Sequence, residues 1–578
     1  MPMTRFSSLT AMALALALLA MPQGVSAQDT PPASGFSGAY LAARVAESDS
    51  DFRAAAGWYD TALATDPGNL RLMEGVLYSR LALGNYDQAL TMAQALGDTA
   101  KDNQLAGFAF VTSEALTEDY PALIKAAEEG RKVGPVLDEL IVAWAKVGTG
   151  KMSDALADFD AVAEMRGMER LGRYHKGMAL AVAGDFEGAE AILSGKANGP
   201  VTLNRRGIIA LVQILSQLER NTDALDILDK AFGPGAEPAI DALRARLTAG
   251  EPLPFDQIPS AKAGIAEVFY SVGALLQGEA DPAYVLLHSR SANALDPANT
   301  EALLMTANAL EDLKQYDLAV ETFAQIPAEN PIFYSAEIGR AEALYAGGNK
   351  EAALEALQAL AISHGDLVAV QNALAEAFRR EERCTESVAA YDAALALVPD
   401  VSKVHWPLFF YRGTCYERLN NWDKAEADFR RALELNPDQP QVLNYLGYSM
   451  VDRGLNLDEA LGMIQTAVRK EPQAGYIIDS LAWAYFRLGR YEDALVPMER
   501  ASLLEPADPV VTDHLGDVYW MVGRKREAEF QWHRALSFEP TEKDATRIRL
   551  KLEIGLDEVM VQEKAGAVAP SDQVANDN

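Results

Sequence analysis

Cysteine is almost missing: Cys384 and Cys415 are the only two in 578 residues, too few for a disulfide-stapled fold or a cysteine-rich metal cluster. Histidine is sparse too. His175, His288, His364, His405, His514 and His533 are scattered, with no His-Glu-x-x-His motif and no cysteine–histidine pairing at metal-ligand spacing. The chain also lacks a phosphate-binding glycine loop ending in Gly-Lys-Ser/Thr and a Gly-x-Ser-x-Gly elbow. Neither catalysis nor a bound cofactor or metal is therefore expected. Positive charge is short as well: 51 Lys and Arg stand against 83 Asp and Glu, for a net charge of -32. A surface of that sign repels nucleic acid, whose affinity for proteins comes mainly from Lys and Arg neutralising phosphates. It repels anionic membranes too, and its simplest effect is to keep a long surface in solution.

Long apolar runs are absent except near the start, where Leu9 to Met21 follows Arg5 and precedes the small-residue ending Val25-Ser26-Ala27. A spanning helix needs about 20 apolar residues, and this run is shorter. The order of charge, apolar stretch and small-residue end predicts a secretory signal peptide over residues 1–27, cut before Gln28. Export to the periplasm, without direct membrane insertion, is the expectation. No cysteine precedes Cys384, so none is placed to carry a lipid at that cut.

What the chain has in quantity is repetition. Asn436-Pro437, Glu471-Pro472, Glu505-Pro506 and Glu539-Pro540 recur at intervals of 35, 34 and 34 residues. Twelve residues before each proline stands an alanine: Ala425, Ala460, Ala494 and Ala528. Five before stands another, Ala432, Ala467, Ala501 and Ala535, and eight before stands a large apolar residue, Phe429, Ile464, Met498 and Trp532. Alanines seven apart lie on one helical face, where a small side chain lets a neighbouring helix approach. The large residue fills the space beside it, and the proline ends the helix for want of an amide proton. Upstream in each unit, a small residue sits three before an aromatic: Gly413 and Tyr416, Ala482 and Tyr485, Gly516 and Tyr519. Gly489-Arg490 and Gly523-Arg524 then make the turn between the two helices.

This order of small, aromatic, alanine, large apolar, alanine and proline resembles the tetratricopeptide repeat family. The second-helix alanine position can be followed through Ala55, Ala89, Leu123, Ala155, Ala189, Ala224, Val285, Ala319, Ala353 and Ser387 to Ala425. The expected fold is all-α, a right-handed superhelix of about fourteen helical hairpins. The step from Ala224 to Val285 is 61 residues, about two units, and residues 251–261 are rich in proline. A break is expected there, dividing an N-terminal array over 28–250 from a C-terminal array over 262–556. The latter should end in a capping helix, and 557–578 should be a disordered tail.

The resemblance implies a protein-binding scaffold or adaptor, with a partner protein or peptide in a groove lined by the first helix of each unit. Carried over position by position, the groove residues are Phe410, Asn444, Tyr448, Tyr476, Asp479, Trp483, Phe486, Asp513, Asp517 and Trp520. At such positions a ring faces the groove, outside the interhelix core. The C-terminal run containing Leu443-Asn444-Tyr445, Asp479-Ser480-Leu481 and His514-Leu515-Gly516 is similar to proteobacterial envelope repeat proteins. These include an adaptor lipoprotein for a carboxyl-terminal processing protease. The implied partners are one or more envelope proteins or peptides, among them a periplasmic protease or its substrates. The alternative is a structural part of an envelope assembly or polysaccharide export machine. For Cys384 and Cys415, in neighbouring units, three states stay open: a disulfide, two buried thiols, or a redox pair.

Overall fold

The structure, a computed structural model, describes residues 36–197, 199, 201–233 and 237–564. The expected signal peptide lies outside the described residues. Among the described residues the chain is helical with no strand, and it divides into two compact units, the first ending at Ala356 and the second starting at Leu357. Antiparallel hairpins make up both.

The packing roles read from the repeat are met in detail. The alanines at both second-helix positions and the large residues between them, from Phe429 to Trp532, are fully buried, and every position of the ladder from Ala55 to Ser387 is buried. Why the first helix needs a small residue is plain at Gly516. A Cβ there would sit 2.5 Å from the Trp532 indole, so the ring occupies the space a side chain would take. Gly447 is in the same relation to Ile464, at 2.7 Å. The turns between helices pass through one left-handed residue, Gly489 (φ +71°) and Gly523 (φ +84°) as expected. Non-glycine residues take the same conformation elsewhere: Glu118 (φ +57°), Lys314 (φ +59°) and Glu382 (φ +57°).

In the first unit, hairpins run from Phe36–Ser48 with Phe52–Leu63 to Arg205–Gln217 with Asn221–Phe232, followed by the single helix Pro238–Thr248. Residues 251–260 are non-helical, as three prolines require, but they do not divide the chain. The segment lies along the Arg205–Gln217 helix. Gln213 Nε2 donates to Asp256 Oδ1 (2.6 Å) and Gln213 Oε1 accepts from the Asp256 amide (3.2 Å), while Gln217 Nε2 donates to the Leu253 carbonyl (2.5 Å). Leu253 and Ile258 are buried beside them.

The next two helices turn back into the first unit. Ala261–Leu276 packs on Pro135–Gly148 and Glu169–Val182, and Pro282–Leu295 packs on Leu70–Ala82 and Gln104–Leu116. These four are the first helices of their hairpins, so the face they form is filled by the chain itself. The fit is close: a Cβ on Gly264 would come within 2.2 Å of the Trp144 indole. Phe108 packs on Phe269 and His288, with ring centroids 5.6 and 5.0 Å apart. The expected boundary at 251–261 is thus corrected to 356/357, because the helices after the prolines bury their apolar faces against the hairpins before them.

Several polar groups at that contact are paired, while the buried His288 Nε2 has no hydrogen-bond partner. Trp144 Nε1 donates to His175 Nδ1 (3.1 Å), and His175 Nε2 meets Ser271 Oγ (3.0 Å). Burial lowers the His175 pKa to about 3, so the ring is neutral. Glu267 is fully buried; Tyr174 Oη donates to it at 2.7 Å and Arg206 Nε at 2.9 Å. Burial raises the Glu267 pKa, partly offset by the Arg206 charge.

Candidate partner-binding surface

The second unit carries the residues assigned to the groove. Its first helices are Val368–Arg380, Trp406–Arg418, Pro440–Arg453, Gly475–Arg487 and Pro509–Met521. Each is followed by its second helix, from Cys384–Ala396 to Lys525–Leu536, and the array closes with Glu542–Ile554 and Leu556–Lys564. Residues 557–564, expected to belong to a disordered tail, are helical instead. Leu556 and Val559 are buried, Arg547 Nε bonds Glu563 at 2.6 Å, and the helix continues to Lys564. Residues 565–578 lie outside the described residues.

First helices stand side by side: Pro440–Arg453 touches Gly475–Arg487, which touches Pro509–Met521. That closeness decides the fate of the groove residues. Phe410, Asn444, Tyr448, Asp479, Trp483, Phe486, Asp513 and Asp517 are buried, while Tyr476 and Trp520 are half-buried. The expectation that rings at these positions lie outside the interhelix core is corrected for the buried ones. Phe410 packs against Phe429 and Tyr445, at 6.0 and 5.8 Å. Trp483 stacks between Phe486 (4.7 Å) and His514 (3.9 Å). Trp520 is covered by the closing helices, its Nε1 donating to Asp557 Oδ2 at 2.8 Å.

The two aspartates of the Pro509–Met521 helix are answered by the closing helices. Lys551 Nζ lies 2.7 Å from Asp513 Oδ2 and 2.6 Å from Asp517 Oδ1, and Arg547 reaches both at 3.4 Å. Trp532 Nε1 also donates to Asp517 Oδ1, at 2.9 Å. Burial raises the Asp513 pKa; for Asp517 the Lys551 and Arg547 charges outweigh burial and hold it low. One unit back, His514 Nδ1 donates to Asp479 at 3.0 Å. Burial works against the charged imidazole, yet Asp479 outweighs it and raises the His514 pKa.

A sequence signal for this lock exists. Asp513 and Asp517 are four apart on one face, and 34 residues on, at the same repeat positions, stand Arg547 and Lys551. The expectation of a capping helix at the end of the array does not contain this pairing. Asn444 differs from its neighbours: it is buried, and its side-chain oxygen has no hydrogen-bond partner.

Cys384 opens one second helix and Cys415 sits in the next first helix; both are buried free thiols. Burial pushes the Cys415 pKa up to about 12, and Cys384 adds to it.

At the edge of the stacked first helices, ion pairs tie one unit to the next. Arg453 bonds Glu417 at 3.6 Å, and Arg487 bonds Asp452 at 2.6 Å. These groups are only partly buried, as is Tyr476.

Comparison with known proteins agrees with the hairpin geometry. Tetratricopeptide repeat patterns match residues 143–200, 301–331, 338–402, 406–439 and 446–510. The chain carries tetratricopeptide repeats over these stretches. It is 27% identical over 186 residues to a TPR repeat-containing protein of Pseudomonas aeruginosa, covering 32% of this chain and 30% of that one. It is 30% identical over 197 residues to tetratricopeptide repeat protein 13 of Homo sapiens, covering 33% and 22%. The chain thus spans less than a third of the length of these relatives. Among solved structures it is similar to the APC/C hetero-tetramer Cut9–Hcn1 (15% identity, TM-score 0.38, 90% of this chain and 96% of that one). It is also similar to a tetratricopeptide repeat protein of Parabacteroides merdae (19% identity, TM-score 0.37, 44% and 97%).

Proposed function

We propose that this chain is a non-catalytic, protein-binding scaffold of the bacterial cell envelope, exported through a cleaved signal peptide, that receives its partner on the second unit. The observation that carries this reading is the contrast between the two units. In the first, the face made by the first helices is taken up by Ala261–Leu276 and Pro282–Leu295. In the second, successive first helices lie directly side by side and are bridged at their edge by Glu417–Arg453 and Asp452–Arg487, whose charges remain partly exposed. Partly exposed ion pairs contribute little to folding and can exchange partners at small cost. An extended chain or a charged partner surface could bond to them, with Tyr476 as an aromatic contact.

Export is supported by the N-terminal order of charge, apolar run and Val25-Ser26-Ala27. A periplasmic protease or its substrates as partner is supported by the resemblance of the C-terminal run around Asn444, Asp479 and His514. Cross-linking in the native periplasm followed by mass spectrometry tests both points. The expected result is a chain beginning near Gln28, cross-linked through residues of the second unit to another protein. A chain that keeps residues 1–27 in the cytoplasm would overturn the export; cross-links confined to the first unit would overturn the docking surface.

A further inference from the structure

The first unit contains a cavity of about 500 Å³ where residues 290–325 meet the first two hairpins. Arg53, Arg80, Asn85, Arg290 and Glu321 bring polar groups to its wall, so three guanidinium groups face one carboxylate. Two of the arginines have carboxylate partners: Arg53 bonds Glu321 at 2.5 Å, and Arg80 bonds Asp60, which is outside the cavity. Arg290 does not. Its Nε donates to the Ala82 carbonyl at 3.0 Å, and among the described residues it makes no ion pair. It is also partly buried, enough for burial to lower its pKa, although an arginine keeps its charge throughout the physiological range. A charge out of water without a counter-charge in contact is costly, and Glu321, the carboxylate whose charge reaches Arg290, is already bonded to Arg53. Asn85 starts a helix, yet its side chain makes no capping hydrogen bond and stands at the cavity wall.

We propose that this cavity binds a small solute bearing an oxyanion, a carboxylate or a phosphate, which pairs with Arg290 and is flanked by Arg80 and Asn85. A planar guanidinium with donors to spare matches either headgroup through two parallel hydrogen bonds. Cavities from about 300 to 1,000 Å³ are the size that holds small ligands. The site is separate from the docking surface proposed above and does not depend on it. Because the wall joins residues more than 200 positions apart in sequence, an occupant would also hold the first hairpins against the Pro282–Leu295 helix.

Calorimetric titration of the full chain in chloride buffer, with inorganic phosphate and separately with succinate, tests the proposal. Saturable binding of one or both is expected, and the preferred anion identifies the headgroup. Arg290→Gln should weaken that binding at least about tenfold, the loss typical of a charge-assisted pair. Gly57→Leu is a second variant. Gly57 lines the cavity and a Cβ there would meet nothing within 4 Å, so the added side chain narrows the space without disturbing Arg290. It should weaken binding while leaving the helical circular dichroism unchanged, and it carries the comparison if Arg290→Gln does not fold. No saturable binding of either anion at millimolar concentration, or affinity unchanged in the variants that fold, would overturn the proposal.

Discussion

The indole of Trp483 lies flat on the imidazole of His514, with ring centroids 3.9 Å apart and planes 12° from parallel. The two residues belong to successive first helices, so a position assigned to an open groove is a joint between repeats. Trp483→Ala should accordingly destabilise the second unit by about 3 to 5 kcal/mol, the range for removing a buried large aromatic. Chemical denaturation followed by a probe in that unit measures it. Unchanged stability would restore the ring to the groove.

The same joint predicts a pH dependence. Asp479 raises the His514 pKa above its ordinary value near 6.5. A group whose folded pKa is raised contributes stability that is complete below the unfolded value and disappears as pH rises through the folded one. Replacing His514 with Gln should therefore cost more at about pH 5.5 than at about pH 9, with a difference on the order of 1 kcal/mol. Equal losses at the two pH values would show that the imidazole carries no charge there.

Lys551 is wholly buried between Asp513 and Asp517. Lys551→Met leaves two carboxylates facing one guanidinium at 3.4 Å, and breaking a buried pair from one side costs about 3 to 5 kcal/mol. Hydrogen exchange should show Glu542–Ile554 and Leu556–Lys564 opening first. Adding Asp513→Leu should recover part of the loss, since the remaining charges then balance better.

Gly264→Val tests whether the Ala261–Leu276 helix fills the face of the first unit. Even a Cβ at that site would meet the Trp144 ring at 2.2 Å, so the helix must shift. Overpacking of this kind costs typically about 1 to 3 kcal/mol. Faster amide exchange should appear together in 261–276 and in the Pro135–Gly148 and Glu169–Val182 helices. A change confined to residues near Gly264 would contradict the packing.

Lys314 turns the chain with φ +59°. A side chain in that region costs about 1 to 2 kcal/mol, part of which glycine gives back through its looser unfolded state. Lys314→Gly should raise stability by about 0.5 to 1 kcal/mol, readable as a higher denaturation midpoint.

The repeat, and with it the hairpin fold, was legible in the sequence because its contacts are local and periodic. Gly516 meets Trp532 sixteen residues later in the same hairpin, and the same pairing recurs at Gly413 with Phe429, so small and large residues must alternate at fixed spacing. The burial of Ala425, Ala460, Ala494 and Ala528 follows from the same spacing. Left-handed turns at Glu118, Lys314 and Glu382 were not legible, because nothing in those residue types asks for positive φ and the packed helices on either side impose it.

Only the tertiary structure decided which face of each first helix is free. Asp479, Trp483, Asp513 and Asp517 have the polarity and size of groove residues, and whether they meet solvent or the next repeat depends on how closely consecutive first helices approach. The return of 261–295 into the first unit was likewise hidden. Its contacts, such as Tyr174 with Glu267 and Tyr86 with Ser291, join residues 93 and 205 apart, and pairings at such separations leave no period in a sequence. Local spacing determined the hairpins; the burial gained when distant hairpins met determined which surfaces remained available.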